Sequence, residues 1–225
     1  MLKFTISPEI RDTAPDYTLL AITVEIENAP TSDSLWREIE QEVESLCRDY
    51  KIEDIRHIPA IDATRKTYKT LGKDPNRYRP SAEALIRRAV KGVGLYRTLC
   101  AIDLVNLISL RTGISIGAFD MDKISGDTLS LCPGIENEPY DAIGRGQLNI
   151  SGLPVWRDSI GGIGTPTSDN ERTKLTPETR RLLLTVNIFH PLPAESIEIL
   201  AGQIVTLIHT HIPTRTSSLS HTIVR

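Results

Sequence analysis

Asp103, Asn106 and Ser109 stand three residues apart inside CAIDLVNLISL, a stretch otherwise built almost wholly from Leu, Ile, Val and Ala. On a helix, steps of three fall about 60° short of a full turn, so the three residues form one polar stripe. A helix apolar on its remaining faces belongs in a core. An unpartnered polar group there costs about 1–3 kcal/mol. The stripe must therefore be satisfied by backbone, water or a ligand. An asparagine amide donates and accepts at once, which suits a site that reads a carbonyl or an amine. The alternative is that Asp103 and Asn106 pin neighbouring loop backbone.

Other residues able to do chemistry are more scattered. Cys47, Cys100 and Cys132 are odd in number and far apart, fitting neither a disulfide framework nor a zinc ribbon, so buried structural thiols are expected. His209 and His211 lie about 200° apart on a helix and do not readily share a metal; no metal and no cofactor is expected. His190, in IFHP, reads as a structural strand end. Asp158 and Asp169 flank the glycines of SIGGIGTPTS, but two acids of unknown separation define no acid–base pair. No Gly-Lys-Ser/Thr follows those glycines, which excludes a phosphate loop.

The formal net charge of −3 hides an asymmetry. Residues 1–64 hold 14 acids and 6 bases, whereas residues 65–97 hold 10 bases and 2 acids. That local field suits a polyanion better than the net charge does, unless the bases only solvate helix faces. No apolar run approaches the roughly 18 residues of a membrane span. MLKFTISPEI lacks the apolar core of a secretory leader, so a reduced, cytoplasmic protein without a membrane partner is expected.

The elements that must position these groups follow from periodicity. Strands are predicted at residues 2–7 and 17–26. A helix starts at Ser32 or Asp33, with Leu35, Ile39, Val43 and Leu46 inward and an acidic outer face. Further helices are predicted at 59–71, after an N-cap at Ser81, at about 99–112 ending at Gly113, and at about 194–211. Short strand-like pieces alternate with turns from 115 to 190, and the tail 213–225 is expected to be mobile. The order of elements predicts one α+β domain over residues 1–225, with helices packed on a mixed β-sheet.

IDLVNLISLRTGISIGAFD resembles a segment of bacterial phenylalanyl-tRNA synthetase β-subunits that reads approximately VDxTNYxxxExGxPxHAFD. The matching positions are Asp103, Asn106, Gly113, Ala118, Phe119 and Asp120. RPSAEALIRR (79–88) and NERTKLTPETRRLLL (170–184) are similar to free-standing B3/B4 proteins, and the resemblance spans about residues 65–190. It implies a B3/B4-like fold and a partner in the tRNA acceptor end or an aminoacyl-tRNA. It also implies hydrolysis of a mischarged aminoacyl ester in trans, with no ligase activity. On this resemblance Asn106, Gly161, Gly162 and Thr165 hold the substrate, the glycines letting backbone approach it closely. Arg77, Arg79, Arg87, Arg88 and Lys91 then form a basic rim for the RNA. Arg79 and Glu83, four apart, could instead pair structurally.

The chain departs from the synthetase motif at Gly117, where the family has His, and at Val105, where Thr is usual. The family's pocket glutamate has no assigned counterpart; Thr165 and Thr167 lie nearby. No general base is assigned. The departures imply a different amino acid, or a pocket that binds without turnover. Two other readings stand beside editing: a non-catalytic binder of an amino acid or related small molecule, and an interaction module using the acidic helix. Editing requires an open pocket at Asn106 joined to a basic rim. A small-molecule binder would show the pocket alone, and an interaction module neither.

Overall fold

The computed structural model describes residues 2–214 and 218–225. The helices are α1 (Pro8–Thr13), α2 (Asp33–Asp49), α3 (Pro59–Thr70), α4 (Ser81–Val90), α5 (Cys100–Thr112) and α6 (Ala194–His211). The strands are β1 (Lys3–Ile6), β2 (Thr18–Glu25), β3 (Ile116–Asp120), β4 (Thr128–Pro133), β5 (Asp141–Ala142) and β6 (Gly146–Gln147). They continue as β7 (Pro154–Arg157), β8 (Gly162–Gly164), β9 (Arg181–Ile188) and β10 (Ser220–Val224).

Two four-stranded sheets result rather than one. The first runs β10-β2-β9-β3 and is antiparallel throughout. The second runs β1-β4-β7-β8 and is mixed, with β1 parallel to β4. Strand alternation explains how they stack. Leu20, Ile22 and Val24 of β2, with Leu182, Leu184 and Val186 of β9, pack into the helical core. The intervening Leu19, Ala21 and Leu183 pack with Ile6, Leu129, Leu131 and Trp156 of the second sheet. The antiparallel sheet is thus a central layer, helices on one face and the mixed sheet on the other. This is the α+β class read from the sequence, with a second sheet added.

Three details differ from the sequence reading. The tail is not free along its length: β10 pairs with β2 from Ser220↔Thr23 to Val224↔Leu19, completing the sheet edge. Residues 215–217 lie outside the described residues. Ser81 is the first helical residue rather than the cap; its N–H donates to Pro166 O, and Pro80 occupies the cap position. The short helix α1 has no apolar period, being only six residues long; the Ser7 hydroxyl caps it and Pro8 opens it.

Helix α5 runs through the helical core and packs against α2, α4 and α6. Its end is set by Gly113 at φ +69°, a left-handed position at which a Cβ would also lie 2.8 Å from Ile58.

Candidate functional site

A cavity of about 550 Å³ lies where α4, α5 and β3 meet the loops at 143–145, 165–169 and 174–175. Helix periodicity selects its walls. Helix α5 contributes Ile102, Val105, Asn106 and Ser109, and α4 contributes Ser81, Ala84, Leu85 and Arg88. Each set is i, i+3, i+4, i+7, one face of its helix. Strand β3 contributes Ile116 and Ala118, one face of the strand. Ser81, Ala84 and Ala118 are small, which leaves the space unfilled.

The polar stripe divides within this frame. Asp103 is 1% exposed, and its carboxylate accepts from Thr98 N–H (2.7 Å), Thr98 Oγ1 (2.9 Å) and Thr31 Oγ1. It ties α5 to the chain preceding it. Asn106 lines the cavity, and its amide makes no hydrogen bond with any described residue. Its donors and acceptor are free for a ligand.

Opposite in character is Asp169, also in the lining. Ala118 N–H donates to its Oδ2 at 3.0 Å, while Oδ1 lies near Gly164, where a Cβ would stand 2.8 Å from it. No cation pairs with it among the described residues. Burial pushes its carboxyl up from 3.8 to about 7, against the smaller opposing effect of the Ala118 N–H. Three cations share the lining: Arg88, Arg145 and Lys174. Arg145's side chain makes no hydrogen bond or ion pair among the described residues, whereas Lys174 pairs with Glu171.

The sequence-derived site residues separate accordingly. Asn106, Thr165 and Arg88 reach the cavity. Thr165 spends its hydroxyl on its own turn, accepting from Thr167 N–H and Ser168 N–H, both at 3.0 Å, so it shapes the wall. Gly161 and Gly162 are not in the lining. Gly161 N–H donates to Asp158 within its own turn, and a Cβ at Gly162 would meet Tyr140 and Val155 at 3.0 Å, so Gly162 serves internal packing.

Arg79 and Arg87 turn to Glu83, one residue away from the cavity-facing set. Glu83 is 2% exposed, with Arg65 at 2.8 Å, Arg79 at 3.5 Å and Arg87 at 4.0 Å. A buried carboxylate demands such partners, and it draws both arginines away from the cavity. Arg77 lies by the Tyr78 ring, 5.6 Å from its centroid, and Lys91 is absent from the lining.

Gly117 also reads differently in place. A Cβ there would stand 2.6 Å from Phe119 Cζ and Thr185 Oγ1, between Ile116 and Ala118, which line the cavity. A side chain at 117 points away from the cavity, so the glycine removes no group from it. Val105 does line the cavity, so the Thr-to-Val departure makes the wall more apolar. Asp169 is the carboxylate among the lining residues.

Sequence reasoning named Asp169 but could not place it. The turn Thr165 N–H to Ser168 O folds the chain back so that Asp169 bridges Gly164 and faces the cavity. The thiols are elsewhere: Cys100 donates to His211 O, and burial raises both Cys100 and Cys132, disfavouring thiolate. Among the described residues no cluster of His, Cys, Asp or Glu could hold a metal ion, and no helix is long and apolar enough to cross a membrane.

The model of the B3/4 domain matches residues 63–199, more than half of the chain. The chain belongs to the B3/4 domain family. The match encloses α4, α5, β3 and the 165–175 loops, and so every wall of the cavity. Among solved structures, the chain is similar to an N-terminal fragment of the phenylalanyl-tRNA synthetase β-subunit from Pyrococcus horikoshii. The identity is 13% and the TM-score 0.49, over 98% of this chain and 54% of that one. This B3/4 chain therefore spans about half the length of that fragment. Among curated proteins none matches it.

Proposed function

We propose that this B3/4 domain binds the aminoacyl end of a charged tRNA in the α4–α5–β3 cavity and hydrolyses its ester in trans. One observation carries the reading: Asn106 and Asp169, both with unspent hydrogen-bonding capacity, share one cavity of a size that fits a small ligand. Family membership and the resemblance of residues 101–120 to the synthetase segment supply the tRNA-related context. Ile102, Val105, Ile116 and Leu175 offer apolar contact to an amino-acid side chain.

The chemistry is attack of water on the ester carbonyl. Asp169, ionised above about pH 7, accepts a proton from that water as the new carbon–oxygen bond forms. The Asn106 amide N–H₂ donates to the carbonyl oxygen as it gains negative charge. Collapse of the tetrahedral intermediate breaks the bond to the ribose oxygen, which takes the proton back from Asp169. The products are a free amino acid and an uncharged 3′ end. Arg88, Arg145 and Lys174 supply positive charge for the RNA backbone.

A panel of correctly charged and mischarged tRNAs, with ester loss followed against an Asn106→Ala control, tests this. Selective deacylation of one species, lost in the variant, is expected. No deacylation across the panel refutes hydrolysis and leaves amino-acid binding, the reading without turnover.

A further inference from the structure

The segment joining α4 to α5 carries an exposed aromatic side chain beside the cavity. Tyr96 is 73% exposed, and the Arg88 guanidinium lies over its ring, 4.5 Å from the centroid. Arg88 is the last member of the α4 face that lines the cavity, so the ring stands next to the cavity wall. The arrangement is held in place. Arg88 Nε donates to Gly94 O at 2.6 Å, and Gly92 and Gly94 adopt left-handed φ of +68° and +76°, which shape the bend. Arg97, the next residue, clamps the far side: its Nη2 donates to Thr31 O and to Asp33, both at 2.6 Å.

A single exposed apolar side chain is ordinary on a protein surface. A tyrosine fixed by flanking anchors, backed by a guanidinium and placed beside a cavity, is a different object. Every nucleobase has a π face, and aromatic–base stacking needs no sequence-specific hydrogen bond. With Nε committed to Gly94, the terminal nitrogens of Arg88 keep their donors for a phosphate. Arg145 and Lys174 add positive charge around the same cavity.

We propose that Tyr96, backed by Arg88, is a stacking shelf for the terminal nucleobase of the RNA whose aminoacyl group enters the cavity. The proposal rests on the cavity reading above and extends it to the nucleotide. It makes the shelf a binding element and leaves the hydrolytic step to Asn106 and Asp169.

The test uses the full chain and a 5′-labelled single-stranded RNA ending in adenosine, with the same RNA ending in an abasic ribose as control. Affinity is read by fluorescence anisotropy. Tyr96→Ala is expected to weaken binding of the adenosine RNA about tenfold. Tyr96→Phe restores it, and the wild-type protein binds the abasic RNA as weakly as Tyr96→Ala binds the adenosine RNA. Arg88→Ala weakens both RNAs and flattens the salt dependence. Equal affinity of wild type and Tyr96→Ala, or equal binding of adenosine and abasic ends, overturns the shelf. Hydrolysis of amino-acid ethyl esters by the wild-type protein separates the two claims, because such esters carry no base. Ester hydrolysis without the Tyr96 signature refutes the shelf and leaves the cavity reading. The Tyr96 signature without ester hydrolysis supports the shelf and refutes the hydrolytic reading.

Discussion

Glu83 and Asp169 are both interior carboxylates, and the fold treats them oppositely. Glu83 sits at the back of α4 among Arg65, Arg79 and Arg87. Asp169 shares the cavity lining with the α5 face and has a single backbone N–H donor, with no cation paired to it among the described residues. The first arrangement holds a charge in place and fastens α3, α4 and the 75–79 loop together, since Arg65 also donates to Pro75 O and Asn76. The second leaves a carboxyl whose proton is readily exchanged near neutral pH. The difference teaches that the basic stretch of the chain does not act as one patch: Arg65, Arg79 and Arg87 neutralise a buried acid, whereas Arg88 faces the cavity.

The comparison breaks most visibly at Glu83. Glu83→Ala leaves three guanidiniums without their shared anion and is expected to cost about 3–5 kcal/mol in urea unfolding. A loss below about 1 kcal/mol would mean that the arginines are solvated and free for RNA after all. Asp103 is the intermediate case, a carboxylate satisfied by neutral donors. Asp103→Ala strands Thr98 N–H and the hydroxyls of Thr31 and Thr98, with an expected loss of about 2–3 kcal/mol. A change within the error of the melt would detach Asp103 from the anchoring of α5.

Asp169 inverts the sign. Its carboxyl is raised from 3.8 to about 7 in the folded protein, so the folded state holds an extra proton between those values. The contribution of Asp169 to stability therefore falls as pH rises from about 4 to about 7 and levels off above. Asp169→Asn keeps an acceptor for Ala118 N–H and carries no proton to lose. It is expected to be more stable than wild type at pH 8 by about 1–2 kcal/mol, less than the full shift implies because the carboxyl borders an open cavity. The gain disappears by pH 4. Thermal melts across that range check it, and a gain independent of pH would contradict the burial account.

The helices other than α1 and the longer strands were legible because their apolar periods are regular. The same arithmetic that groups Asp103, Asn106 and Ser109 also selects 102, 105, 106 and 109 as a face. Spacing alone could not separate Asp103 from Asn106, which only the family resemblance singled out, since the anchoring of Asp103 depends on Thr31 and Thr98, whose approach is a tertiary fact. The same holds for the arginines: Arg87 and Arg88 are adjacent, but a 100° turn sends one to Glu83 and the other to the cavity. Asp169 could be named beside the glycines but not placed in a site, because it sits in a turn without period. Strand β10 was unreadable because SHTIV is short, polar at its start and paired with a strand about 200 positions earlier.

The most direct measurement is the pH profile of aminoacyl-ester hydrolysis, corrected for the uncatalysed rate, for wild type and Asp169→Asn. The account predicts a wild-type kcat/KM that rises with pH and flattens above about 7. It predicts a loss of about 10²- to 10⁴-fold in kcat in the variant, with KM little changed. A flat profile, or a variant as active as wild type, would contradict the assignment of Asp169 as the base.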